Sequence, residues 1–205
     1  LEMNLGSYVD EIRRVSRERM LAALRLSARL GADPVVVHPG YSFFRKLKDY
    51  DRELKARFIE DLCTVQEEAR SLGVRVALEN IFMSYFYFQE LDEFAAINEA
   101  VPGIGVTLDI GHAYISKCMA KHPDPEGAII DDVHRMGLKN LFHVHLHNNS
   151  GSRDDHDFVE GSIDMARVLK GLSDLGYDGK VVIETLDIER LGFPAVLQKL
   201  QQIAP

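Results

Sequence analysis

Cysteine is scarce in this chain: Cys63 and Cys118 are the only two in 205 residues. Their separation matches no thiolate metal motif. A disulfide scaffold is therefore excluded, and reduced, buried or half-buried thiols of a cytoplasmic protein are expected. No run approaches the roughly eighteen consecutive apolar residues of a membrane span. The first ten residues lack the basic and apolar regions of a secretory signal, so none is expected. Positive charge is also short, with 24 Lys and Arg against 32 Asp and Glu and a net charge of -8 at pH 7. A phosphate backbone favours a basic surface, so this charge balance weighs mildly against a nucleic acid partner. No linker, low-complexity run or charge block divides the chain, and its length suits one core rather than two. A single domain over 1–205 is expected.

What is present is a strict alternation. Ser7 to Leu30 reads as an amphipathic helix, with Ser7 as its cap, Asp10 as a weak capping-box partner and Gly31 as its stop. Val35 to Val37 is a β-branched run between prolines, the mark of a strand buried on both faces. Helix over 51–72, strand over 74–78, helix over 89–100 and strand over 106–108 follow. A helix over 125–136, a strand over 141–146, a helix over 163–175, a strand over 181–183 and a last helix over 194–203 complete the series. A short sixth strand is expected around 156–159. Alternation with buried-type strands means α/β with a parallel sheet.

The densest chemistry lies in LFHVHLHNNSGSRDDHDFVEGSID, from Leu141 to Asp164. His143, His145 and His147 alternate along the strand and so share one face. Asp154, Asp155 and His156 follow after a polar turn. Imidazole and carboxylate together are ligands that Zn²⁺ and Mn²⁺ select. The same residue types recur wherever a strand meets its loop: His38, Glu79, Asp109 with His112 a step beyond, His145, and Glu184. A doubly wound sheet would carry a glycine-rich phosphate turn, and none is present. Ligand-type groups at the C-terminal ends of successive strands form one ring in a (β/α)₈ barrel.

Other residues carry weaker readings. His143 is expected in the core or behind His145, and His147 against substrate or solvent. His122 and His134 are expected at the surface. Tyr85 to Phe88 forms an apolar wall over a bound substrate or packs the next helix. Phe43, Phe44 and Arg45 cover the site, with Arg45 or Lys46 offering a cation to a phosphate or carboxylate.

Six motifs stand in order along nearly the whole chain: VVVHPG (35–40), ALEN (77–80), LDIGHA (108–113), HLHNN (145–149), DDH followed by EGSID (154–164), and IETL (183–186). Together they resemble the xylose isomerase-like TIM barrels, which include sugar isomerases and epimerases and endonuclease IV. The resemblance implies a (β/α)₈ barrel whose first strand, first helix and most of whose second strand are missing from this chain. In the epimerase branch it implies one divalent ion held by Glu79, Asp109, His145 and Glu184, with the two glutamates as acid and base. In the endonuclease branch it implies a cluster. There His112, Asp154 and His156 take a second ion, and His38, with a further histidine this chain lacks, takes a third. Asn148 stands where the family usually has Asp, and the segment between His156 and Glu160 is one residue shorter than usual.

Three functions follow as expectations. The leading one is a metal-dependent isomerase or epimerase of a small sugar or sugar phosphate, with Mn²⁺ or Zn²⁺, or else Mg²⁺ or Co²⁺, at the site. The alternative is an endonuclease IV-like zinc hydrolase acting at abasic sites in DNA. The third is a ligand-binding barrel without catalysis. A homo-oligomer with no membrane partner is expected in each case.

Overall fold

The computed structural model describes Met3 to Ile203. Its residues cluster into two compact units. The first runs to Gln89 and resumes over Glu93–Val106, and the second holds Glu90–Asp92 and the chain from Thr107 onward.

In the first unit, helix α1 (Asp10–Leu30) precedes strand β1 (Val35–Val37), helix α2 (Lys48–Leu72), strand β2 (Val76–Glu79) and helix α3 (Phe94–Ala100). Both long helices end on glycine in the left-handed region, Gly31 at φ 67° and Gly73 at φ 69°, where a side chain would be strained. α1 lies on α2, and the fully buried Asp61 receives Arg17 at 2.6 Å and Arg13 at 2.5 Å. β1 and β2 pair in parallel with Val36 opposite Ala77. His38 and Glu79, two residues on from that pair, therefore leave the sheet on the same face.

Strand β3 (Gly105–Asp109) is divided between the units. The second unit continues with α4 (Ile110–Met119), α5 (Pro125–Met136), β4 (Leu141–Leu146), α6 (Met165–Asp174), β5 (Val181–Ile183), α7 (Asp187–Leu191) and α8 (Phe193–Ile203). β4 and β5 are parallel with His145 opposite Val182, which places Glu184 on the face that carries His145. Five strands are seen among the described residues, in the α/β order the sequence predicts.

Several expectations need correction. α1 starts at Asp10, after an extended Val9, and Ser7 caps only the turn before it by accepting from Val9 N–H at 3.1 Å. Residues 156–159 form no strand; a single bridge joins Asn148 to Asp157. Two helices have no counterpart in the sequence reading. α4 is buried from Ile110 through Ile115, so it lacks the polar face that makes a helix visible as a period. α7 is too short to show one. Burial on both faces holds for β2 and β3 but not for β5, whose Val181 and Val182 are 38% and 41% exposed. Among the described residues, no helix is long and apolar enough to cross a membrane.

Candidate metal centre

β3 runs directly into α4, and Asp109 occupies the junction. It is the last residue of the strand and the N-cap of the helix, its Oδ1 accepting from His112 N–H at 2.7 Å. That bond fixes the carboxylate at the strand end and puts His112 in the first helical turn. His145 arrives from β4, with its Nδ1 3.4 Å from Glu184 Oε2 beyond β5. Asp109, His145 and Glu184 each offer a ligand atom, and these atoms lie within 4.8 Å of one another. Asp109 is wholly buried, a costly place for a carboxylate that no cation neutralises. Two carboxylates and an imidazole form a donor set suited to Zn²⁺ or Mn²⁺, so these residues fit the ion the family implies.

In the first unit Glu79 ends β2 in a buried position, with Oε2 3.5 Å from His38 Nε2. His38 itself is more than half exposed.

A second group lies within the second unit. His112, His147, Asp154 and His156 each present one ligand atom within 4.8 Å of the others. His147 and His156 stack at 4.2 Å between ring centroids, and His112 meets His147 edge-on. The loop that carries Asp154 and His156 is tied down from two directions. Asn148 Oδ1 accepts from the N–H of Asn149 and of Ile163, both at 2.9 Å. Asp187 Oδ2 accepts from Phe158 N–H and Val159 N–H at 2.7 and 2.9 Å. His156 sits at φ 49°, in the left-handed region that few side chains adopt. Its carbonyl accepts from Thr185 Oγ1 at 2.9 Å and Leu186 N–H at 3.0 Å.

Proton affinities follow from this packing. For His156, the hydrogen bond to Asp154 outweighs burial and raises the imidazole from 6.5 to about 9. For Asp154, burial alone would raise the carboxyl, but hydrogen bonds and charge from His112 and His156 prevail and hold it well below the ordinary carboxylate range. A stability contribution from a raised His is complete below its unfolded value near 6.5 and disappears as pH climbs through about 9. Chelator-treated protein is therefore expected to lose stability between those limits, and NMR should find His156 titrating near the upper one. A His156 that titrates at its ordinary value in such protein would contradict the ion pair.

Further residues are placed differently from expectation. His147 does not face solvent; it is fully buried, with Nε2 3.0 Å from Asp109 Oδ1. Arg45 is engaged within its own unit, where it donates to the Phe86 carbonyl at 2.6 Å, pairs with Asp51 at 3.3 Å and lies over the Tyr87 ring. Phe86, Tyr87 and Phe88 are buried in the core, so packing, rather than a wall over a sugar, accounts for most of that run. His143 lies edge-on to His145 at 5.2 Å, and His122 and His134 are exposed. Sequence reasoning missed Gly111 and Asp187, which seat the second group; a small residue two positions after a strand-end Asp was the available signal for the first.

Residues 1–202 match the xylose isomerase-like TIM barrel family. The chain belongs to that family. An uncharacterised protein of Methanocaldococcus jannaschii is 28% identical over 193 residues, 93% of this chain and 70% of that protein. The putative L-ribulose-5-phosphate 3-epimerase SgbU of Escherichia coli is 26% identical over 188 residues, 87% of this chain and 60% of the relative's length. A crystal structure of a D-tagatose 3-epimerase-like protein superimposes with a TM-score of 0.79 at 25% identity, covering 98% of this chain and 72% of that one. The chain thus spans roughly two thirds of the proteins it resembles.

Proposed function

We propose that this chain carries the metal-binding half of a sugar 3-epimerase, acting on a ketose or ketose phosphate through removal and return of the proton at the carbon beside the carbonyl. The observation that supports it most is the convergence of Asp109, His145 and Glu184 at the ends of β3, β4 and β5. Glu79 is proposed as the fourth ligand, on its position at the end of β2 and on the family motif ALEN. These residues would hold a divalent ion, which would supply Lewis-acid polarisation of substrate oxygens, worth several kcal/mol. The chain's own residues do the rest. Asp109 is held rigid by its cap bond to α4. Glu184 is 44% exposed, so one of its oxygens can reach a substrate proton while the strand anchors its backbone. Glu79 is proposed as the partner that returns the proton.

The test is solvent exchange. A ketose incubated with protein in D₂O is expected to gain deuterium at the carbon next to the carbonyl. Exchange should stop on chelation and return with Mn²⁺ or Zn²⁺. Exchange that survives full removal of metal would refute the mechanism. The hydrolase alternative draws on the second His and Asp group, which could hold a further ion; the net charge of -8 opposes a DNA substrate.

A further inference from the structure

We propose that the pocket between the turn over 4–9, the loop over 41–43 and α2 binds a neutral sugar ring. On the epimerase reading, that ring is the glycosyl end of a ketose substrate longer than one sugar. The binding itself does not depend on that reading.

The pocket lies wholly within the first unit and has a volume of about 220 Å³. Drug-sized molecules take about 300–1,000 Å³, so this space suits a single small ring. Its walls are set before anything enters. Asn4 Oδ1 accepts from Gly6 N–H at 2.8 Å and from Tyr41 N–H at 3.0 Å, and Asn4 Nδ2 donates to the Tyr41 carbonyl at 3.0 Å. One amide thus locks the turn to the loop through both backbone groups of Tyr41. The loop has further anchors: Ser42 N–H donates to the Tyr85 carbonyl at 2.8 Å, and Tyr87 N–H to the Gly40 carbonyl at 2.9 Å. A preformed pocket spares the ordering cost of binding.

Donors without acceptors supply its polar character. Ser7 is buried; its Oγ accepts from Val9 N–H at 3.1 Å, and its own O–H has no acceptor among the described residues. Val9, the N-cap of α1, brings no side-chain oxygen. The N–H groups of Asp10, Glu11 and Ile12 likewise lack acceptors among the described residues, as expected in the first turn of an uncapped helix. Val9 and Ile12 bring this helix start to the pocket wall. The occupant must therefore offer oxygen acceptors. A bare helix start favours an anion, but here Asp10 and Glu11 stand in its first turn and no charged residue lines the pocket. Arg57 is committed to Asp10 at 2.9 Å and Glu53 at 2.8 Å, and Arg45 to Asp51 and the Phe86 carbonyl. Hydroxyl oxygens fit where a phosphate does not.

The rest of the lining is apolar. It includes Tyr8 and Phe43, 55% and 73% exposed, and the buried Leu54 of α2. Phe44 braces the Tyr8 ring edge-on at 5.2 Å, and Tyr41 braces Phe43 at 5.6 Å. A pyranose combines an apolar C–H face, which buries against aromatic rings, with acceptor oxygens around its edge. Tyr41 stands three residues beyond His38, so their Cα atoms are at most about 10–11 Å apart. One elongated substrate can span that distance to the end of β1, where His38 meets Glu79 at 3.5 Å.

The experiment titrates the full chain with methyl α-D-glucopyranoside, a ring with no carbonyl to react, and follows backbone amides by NMR. Shifts are expected at Ser7, Ile12 and Phe43, and none there with inorganic phosphate. Phe43→Ala is expected to weaken binding by about 2- to 10-fold, the loss of one aromatic contact. Ile12→Trp, which fills the pocket from an exposed position, is expected to abolish it. Circular dichroism checks each fold, and either variant that folds decides. The proposal is overturned if the glucoside moves none of these amides, if Ile12→Trp binds it as well as the wild type, or if phosphate binds more tightly. Deuterium exchange then compares isomaltulose, a glucosylated fructose, with D-fructose. The ratio of their kcat/KM values is expected to exceed one and to fall at least about 2-fold in Phe43→Ala. A ratio that this variant leaves unchanged refutes the assignment of the ring to the substrate. Glucoside binding without exchange into any ketose refutes the epimerase reading and leaves the pocket standing; exchange without glucoside binding does the reverse.

Discussion

Replacement of Glu184 by glutamine is expected to leave the chain folded and to cut deuterium exchange into a ketose by about 10²–10⁴-fold, the usual contribution of a general base. The side chain is 44% exposed and follows the last residue of β5, while its backbone N–H donates to the Leu146 carbonyl at 3.1 Å. An isosteric amide leaves that backbone bond untouched, so melting temperature should hardly change. The amide can still offer an oxygen to an ion but cannot take up a proton. Metal affinity should therefore fall less than in His145→Ala, which deletes a buried ligand. Exchange rate, metal titration and melting temperature measured on the two variants separate these roles. Near-wild-type exchange by Glu184→Gln would remove it from the proton path.

Gly111→Ala is expected to destabilise the protein despite placing a better helix former in α4. Alanine gains about 1 kcal/mol over glycine in a helix interior. Against this, a Cβ at position 111 would overlap the fully buried His147 imidazole. Overpacking of that kind costs about 1–3 kcal/mol. A displaced ring also gives up its contact with Asp109, worth about 1.5–3 kcal/mol for a bond to a charged group. The clash wins by about 1.5–5 kcal/mol once the helix gain is subtracted. A chain of this size should lose roughly 2–4 °C in Tm per kcal/mol. An alanine variant more stable than the wild type would show that His147 is not fixed by this contact.

These two positions differ in how far they were legible. Glu184 was recognisable because a ligand-type residue closes the strand VVI just where its loop begins. The same rule placed His38, Glu79, Asp109 and His145 at strand ends, and the glycine stops at Gly31 and Gly73 came from backbone sterics that act within a few residues. Gly111 was not recognisable, because its importance depends on a ring thirty-six positions away whose approach no local pattern records. His147 was misplaced for a related reason. Alternation put it with His143 and His145, but β4 ends at Leu146, and beyond the strand the period no longer governs direction.

By itself, then, the order of residues determined the α/β alternation, the family, and a ring of imidazole and carboxylate groups at strand ends, since all of these rest on short-range geometry and on motifs that survive in one dimension. Tertiary structure decided how those groups are shared out. It joined Asp109, His145 and Glu184 in one set and His112, His147, Asp154 and His156 in another, withdrew Arg45 into contacts within its own unit, and buried Phe86 to Phe88. The physical reason is that ligand sets depend on differences of an ångström or less in the separations of side chains from different elements. Those distances are fixed by packing at native density, which no single segment specifies.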